Sequence, residues 1–558
     1  MGSHHESPVK DYIEKRGGRF QWSRNPDNIS NMLRNLLIIL LLAVSSGAAD
    51  KSTNPCDKID GAGATSQWVR VDSSGDLTYK TLPKGDRIMD FSSAGYMGGG
   101  VALPSPPVKA TVKPSGGDDT SSIQNAINAV SSLPLANGFR GAVLLSPGAY
   151  KVSAPLEIGA SGVVLRGSGS GAGGTTITMT GKPHTFVQIH GEGKAEQIGN
   201  AVQITDSYLL AGAISLHVSD KSGFQVGDTV IVERPTTAAW VHFMGMDKLV
   251  RDGKRQTWVR EGSSFRTERT IQAISRNTIT LDAPLTDSMD AQFLNPPGSS
   301  IYKYDFPRRI TQVGVESLRV VSVPQSQALG QPANHLLRMQ AVLDGWVRDI
   351  AAEETVDSVA IGSGTKQITV ERVSIRHSAT TEGHAHPADF SVTGTQVLFD
   401  QCSSTGDDLF YFVTGAQTQG PNVVLDCNFS GSGSHEVAAI EPHQRWATGL
   451  LIDRCSLPKG GIDFVNRGNA GSGHGWSIGW SVVWNSVADT LAIQKPPGAE
   501  NWAIGSKGKP AKVEARGDDA QLADGIFDLP GKPVAPSSLY LSQLCHRLGP
   551  QAVANIGH

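Results

Sequence analysis

Val397-Leu398-Phe399-Asp400-Gln401-Cys402-Ser403, Val423-Val424-Leu425-Asp426-Cys427-Asn428 and Leu451-Ile452-Asp453-Arg454-Cys455-Ser456 are three versions of one phrase. Asp recurs at 400, 426 and 453, and Cys at 402, 427 and 455. Looser copies flank them at 346–350 and 368–373 upstream and 482–487 downstream. In these copies Glu371 and Asn485 take the Asp position, and Val373 and Val487 take the Cys position. β-Branched units repeating mostly every twenty-odd residues are the mark of a solenoid, in which each coil buries its inward face only against its neighbours. A chain of 558 residues would otherwise suggest several domains; the repeat replaces them with one extended all-β domain. The three repeating Cys read as small apolar side chains stacked in its core, with a redox or metal role as the alternative.

Composition agrees. The chain has 63 Gly, 39% hydrophobic and 18% charged residues, too little charge for a disordered, coiled-coil or long-helix protein. The glycines have no G-X-Y period, which excludes collagen. Lys and Arg (49) against Asp and Glu (52) leave a net charge of −3, with no general pull toward nucleic acid or an anionic membrane. Five Cys are too few for a disulfide scaffold; Cys56 and Cys545, outside the repeat, can bridge opposite ends of the chain or remain thiols.

Residues 1–31 are polar and read as an extension outside the fold. At Met32 a positive residue, an apolar run (Leu36 to Val44) and small residues before Asp50 give residues 32–49 the layout of a secretory signal peptide; the apolar run is well short of the ~20 residues that span a bilayer. The expected product is a secreted or periplasmic monomer, not held in a membrane once the leader is cut. The remaining segments are an N-terminal stretch (50–109), first coils (110–199), a β insertion (200–300), main coils (301–510) and a tail (511–558). The insertion is marked by strand-like runs at 213–218, 226–232 and 277–282 around a polar, Arg- and Trp-containing stretch.

One helix stands out. Ile123, Ala126, Ile127 and Val130 have i, i+3, i+4, i+7 spacing, with Asp118, Asp119 or Thr120 as N-cap. The ordered set G-D-D-T-x-x-I-Q-x-A-I (117–127), V-x-x-x-P-G-x-Y (143–150), P-L-x-I (155–158) and G-V-x-L-x-G-x-G (162–169) resembles the entrance of the pectate lyase superfamily, specifically its epimerase-like pectate lyase domain. That resemblance implies a right-handed parallel β-helix with a capping helix over its N-terminal end, and a carbohydrate-active function.

Ionisable residues concentrate between 377 and 502. His384, His386 and Asp389 are followed by Asp407 and Asp408, His435, the segment Glu441-Pro442-His443-Gln444-Arg445-Trp446, Asp463, Asn466 and Arg467, and His474 between Gly473 and Gly475. On stacked coils they would gather on one lateral face as a groove for a polymer, each coil adding a row ~4.8 Å further along. His-X-His suits a metal or a turn; Gly-Asp-Asp suits acid/base chemistry, a Ca²⁺ site or ordinary turn chemistry. Glu441, His443, Arg445, Arg467, Asp407 and Asp408 are the candidate catalytic residues. His384, His386, Asp389, His435, Asn466, His474 and Trp446 are candidate substrate-binding residues, and Trp476, Trp480, Trp484 and Trp502 further stacking surfaces, although Trp484 falls within the repeat.

Two chemistries fit. In a polysaccharide lyase acting on an acidic, uronate-containing polymer, a base removes the C5 proton while Arg445, Arg467 or Ca²⁺ neutralises the neighbouring carboxylate. The alternative resembles the polygalacturonase and rhamnogalacturonase family, but Asn-Thr is missing before Asp389, Gly-His-Gly occurs only at 473–475, and there is no Arg-Ile-Lys. A carbohydrate-binding β-helix without catalysis is the third reading. The expectation is the lyase.

Overall fold

The computed structural model describes residues 56–325, 327–328, 331–378, 381–382, 388–406, 410–431, 439–512 and 522–558. The proposed extension and signal peptide lie outside them. Among the described residues no helix is long and apolar enough to cross a membrane.

The repeating phrase makes three stacked parallel sheets. The first runs from Val108–Val112 through Gly141–Leu145, Val163–Arg166, 314–316, 345–348 and 368–371, then Thr395–Asp400, Gln419–Leu425, Ala447–Asp453, Ser481–Trp484, Asn501–Ile504 and Ile526–Asp528. The second includes Gly148–Val152, Thr175–Met179, Ser403–Thr405 and Asn428–Ser430. The third includes Val359–Ile361, Ala388–Val392, Phe410–Thr414, Ala439–Ile440 and 461–464. Inward residues of all three form one core, with Val347, Val370, Phe399, Val424, Ile452 and Val483 stacked rung upon rung. Each coil closes its backbone hydrogen bonds on the next, so the solenoid has no internal sheet edge to satisfy. The first sheet continues past 510, since Ile526–Asp528 pairs with Asn501–Ile504.

Register corrects the repeat. Glu371 pairs with Asp400, as its place in the phrase suggested, but Asp400 pairs with Leu425, and Leu425 with Asp453. Asp426 therefore stands one residue beyond the row of Asp400 and Asp453, and Asn485 likewise follows Trp484, the partner of Asp453. Asp426 and Asn485 belong to a column with Ser317, Asp349, Arg372, Gln401 and Arg454, all with φ between 45° and 60°. This left-handed residue turns the chain from the first sheet to the second, a conformation Asp and Asn tolerate better than most side chains. The column is braced across rungs by Arg372 Nε on Asp349 Oδ1 (2.7 Å) and Arg454 Nε on Asp426 Oδ1 (2.8 Å).

The cysteines do stack in the core. Cys402, Cys427 and Cys455 are buried thiols, and the Cys402 N–H donates to Cys427 Sγ (3.4 Å). The next rung uses Ser486, not Val487: the Cys455 N–H donates to Ser486 Oγ (3.0 Å), and Val487 is largely exposed. Burial pushes the Cys427 thiol well above its ordinary pKa, so this middle thiol stays protonated and inert.

The helix α1 (Thr120–Ser131) buries Ile123, Ile127 and Val130 in the core and packs on the first strands. Asp119 is its N-cap residue without a side-chain capping bond; its carboxylate instead accepts from the Ser115 and Lys151 N–H groups. Residues 196–305 hold a six-stranded sheet whose strand pairs are antiparallel. Buried Arg269 joins it to the coils, donating to the Pro284 and Gly420 carbonyls. The outer face of the first sheet is covered as well: Leu398, Val423, Leu451 and Trp502 pack with Phe91, Trp68 and the helix α2 (Leu539–Leu548). Cys56 and Cys545 form a disulfide across a sequence separation of 489.

Candidate functional site

The third sheet carries the densest chemistry among the described residues. Ile440 and Ile462 pair across neighbouring rungs and point into the core. By the two-residue period of a strand, Glu441 and Asp463 then lie side by side on its outer face, on rungs ~4.8 Å apart. The Glu441 N–H donates to the Phe412 carbonyl (3.1 Å), which extends the strand ladder to this residue. Gly461 leaves the space: a Cβ there would lie 3.1 Å from Asp463 Oδ1 and 2.8 Å from Thr490 Oγ1.

Arg467 clamps Glu441. Its Nε is 2.7 Å from Glu441 Oε1, and its Nη1 donates to the His443 carbonyl (2.8 Å). The guanidinium also lies 5.9 Å from the centre of the Phe410 ring. Glu441 is only 6% exposed, so its charge depends on that partner. Asp463 behaves differently: burial, then the nearby Glu441 charge, push its carboxyl up to about 8 against the pull of Arg467. Asp463 is thereby kept protonated at neutral pH next to a carboxylate that is paired with Arg467.

At the end of this sheet the chain turns through Arg445 and Trp446, two successive non-glycine residues with positive φ (55° and 64°). Such a pair costs of order 1–3 kcal/mol per residue and is held by N–H bonds from Arg445 to the His474 carbonyl and from Trp446 to the Trp476 carbonyl. The His443 and His474 rings meet edge to face at 4.8 Å. Burial and the surrounding cations Arg467, Arg445 and Arg251 hold His474 down to about 3, a neutral imidazole at any working pH. The loop carrying His474 approaches the insertion closely; a Cβ on Gly475 would lie 2.4 Å from Trp258 Cδ1. Arg251 and Gln256 of the insertion both donate to the Gly471 carbonyl. The insertion thus forms a wall of the site.

The sequence-derived residues divide into three groups. Glu441, His443, Arg445, Arg467 and His474 come together, with Asn466 holding the start of the loop through its Oδ1, which accepts from the Gly468 N–H. Asp389 and Trp446 are placed elsewhere. Asp389 is fully buried, accepting from Ser358 and Ser404 beside His377. Trp446 is buried against Trp240 and Trp258 and donates to Asp287 (2.8 Å), so its ring is no sugar-stacking surface; Trp476, Trp480, Trp484 and Trp502 are equally buried. His384, His386, Asp407, Asp408 and His435 lie outside the described residues. Asp463, which the sequence placed in the dense segment but not among the catalytic candidates, proves to be the partner of Glu441.

Arg445 and Arg467 were expected to face a substrate carboxylate. Arg445 instead donates to the Trp258 carbonyl (2.7 Å) and Ser472 Oγ (2.7 Å), and Arg467 to Glu441 and the His443 carbonyl. In neither case is the bidentate edge presented to the outside as a pair.

No known protein family matches the chain, and no curated protein matches its sequence, so the pectate lyase resemblance rests on the motifs alone. Solved structures of low similarity include the tailspike gp49 from Pseudomonas phage LKA1 (13% identity, TM-score 0.38, 71% of this chain and 70% of that one). Another is the gp54 tailspike of Acinetobacter baumannii bacteriophage AP22, solved with A. baumannii capsular saccharide (10%, 0.34, 72% and 62%). A third is the Azotobacter vinelandii mannuronan C-5 epimerase AlgE4 A-module (12%, 0.25, 74% and 87%). At these values the likenesses assign no activity.

Proposed function

We propose that this protein is an exported, right-handed parallel β-helix enzyme that cleaves a polysaccharide, with Asp463 as proton donor and Glu441 as its anionic partner. The observation that carries the reading is the pair itself: two carboxyls on adjacent rungs of an outer sheet face, one paired with Arg467 and the other held protonated. A general acid next to a carboxylate is the equipment of glycoside hydrolysis. The right-handed coil follows the usual handedness of parallel crossovers, and export fits the Cys56–Cys545 disulfide.

β-Elimination on a uronate polymer is the second reading, favoured by His443, whose ring meets that of His474 beside Arg467. There an imidazole would take the C5 proton, and protonated Asp463 would hydrogen-bond the substrate carboxylate or the leaving oxygen. One experiment separates the two: incubation with uronate and neutral polymers, following reducing ends together with the ultraviolet absorbance of an unsaturated uronide. Reducing ends without that absorbance, abolished by Asp463→Asn, are the expected result. Absorbance rising with the ends would establish the lyase, and cleavage undiminished in Asp463→Asn would overturn the site.

A further inference from the structure

A cavity of about 490 Å³ lies where the N-terminal segment, the insertion and α2 meet, and shares no lining residue with the Glu441–Asp463 pair. Its volume falls in the usual range of small-molecule sites. One wall is apolar, made by Leu77, Ile214, Leu281 and Pro284. Ile214 is 51% exposed there, an apolar side chain left open at the cavity lining.

The polar groups define what would fit. The donors on the wall are turned into the protein: Arg547 Nε donates to Ser92 Oγ (2.7 Å) and its Nη2 to the Ser92 and Gly98 carbonyls (2.8 Å each). Gln543 Nε2 donates to the Met89 carbonyl (2.9 Å) and the Tyr79 hydroxyl (3.2 Å), and His546 Nε2 lies 3.4 Å from Asp60. Acceptors are in excess. Asp76, Asp90 and Asp282 all line the cavity; Asp282 is engaged, accepting from the Thr270 N–H (2.8 Å) and meeting Lys366 Nζ at 3.4 Å, whereas Asp90 takes one N–H, from Ser92, on Oδ1 (2.8 Å), and a carboxylate has room for several more. Ser93, 5% exposed, also lines it, and its buried Oγ has no hydrogen-bond partner among the described residues. A buried hydroxyl in that state costs stability unless something fills the place.

We propose that this cavity binds a small cationic, donor-rich ring: an amino sugar unit, its ammonium beside the Asp90 carboxylate, a hydroxyl on Ser93, and its apolar face on Ile214 and Leu281. The site is a second carbohydrate contact, independent of the cleavage reading above. Glucosamine, N-acetylglucosamine and glucose are titrated into the full chain by calorimetry at low ionic strength. Glucosamine is expected to bind at least about tenfold more tightly than the other two, because only it brings the charge. Asp90→Asn keeps the Oδ1 acceptor for Ser92 and should lower glucosamine affinity about tenfold, and Ile214→Arg, at an exposed position, should abolish binding. Asp463→Asn should leave it unchanged. Equal binding of the three sugars, no binding of glucosamine, or full binding in Ile214→Arg would each overturn the proposal.

Discussion

Replacing Asp463 with Asn tests the electrostatics of the site without a substrate. Asp463 takes up its proton near 8 in the folded protein and near 3.9 in an unfolded chain. Between those values the folded state holds a proton that the unfolded state has lost, so raising the pH removes stability. Each unit is worth up to about 1.4 kcal/mol, giving a ceiling of about 3 kcal/mol between pH 5 and 7.5. Asp463 is only half-buried, and solvent screening reduces this to roughly 1–2 kcal/mol. The wild type should therefore lose that much relative to Asp463→Asn over this interval.

The assay is chemical denaturation of both proteins at several pH values, comparing midpoints so that the pH dependence they share cancels. Burial and then the Glu441 charge cause the shift, so Glu441→Gln should shrink the difference without removing it. Parallel stability curves for wild type and Asp463→Asn from pH 5 to 7.5 would refute the reasoning, and with it the assignment of Asp463 as the protonated member of the pair.

Arg467→Met strands Glu441 as a buried charge; removing one partner of a buried ion pair costs about 3–5 kcal/mol, read as a lower denaturation midpoint and a loss of the activity proposed above. Gly461→Ala places a methyl 2.8 Å from Thr490 Oγ1 and 3.1 Å from Asp463 Oδ1; cleavage should fall while stability drops by about 1–3 kcal/mol. Paired Cys56→Ser and Cys545→Ser changes open a loop of sequence separation 489 and should cost about 2–5 kcal/mol, while mobility on non-reducing gels loses its sensitivity to reductant.

The solenoid was legible because its cause is local: each coil repeats the same β-branched run and the same bend. The row of acids was only half legible. Asp400 and Asp453 occupy a strand position, whereas Asp426 occupies the left-handed bend one residue later, and a one-residue difference changes which way a side chain points. Spacings of 26 and 27 cannot distinguish the two, since coils differ in loop length. The segment from Glu441 to Trp446 drew notice for packing acid, base and cation into a few residues of a solenoid. Asp463 drew less, because Gly461-Ile462-Asp463-Phe464 reads as ordinary alternation; its meaning depends on the rung beside it. The tryptophans misled for a related reason. Their density suggested a sugar platform, but the insertion covers Trp446 and Trp480, whose N–H groups meet on buried Asp287.

The acids that repeat with the coil serve docking, and this directs attention to the pair that does not repeat. Asp453 accepts from Ser538 Oγ (2.7 Å) and the Tyr540 N–H (2.8 Å), fixing the start of α2; burial raises its pKa to about 7. Asp400 meets His558 Nε2 at 3.0 Å. Asp400, Asp426 and His558 bring ligand atoms within 4.8 Å of one another, yet Asp426 is already paired with Arg454, so the cluster is accounted for as an ion-pair clasp. With the outer face of the first sheet covered by the N-terminal segment and α2, its acids have protein partners. Glu441 and Asp463 sit on the third sheet, beyond that cover, where two carboxyls stand on adjacent rungs. Converting Asp400 or Asp453 to Asn should therefore weaken α2 docking and lower stability, whereas Asp463→Asn should remove cleavage from a folded chain.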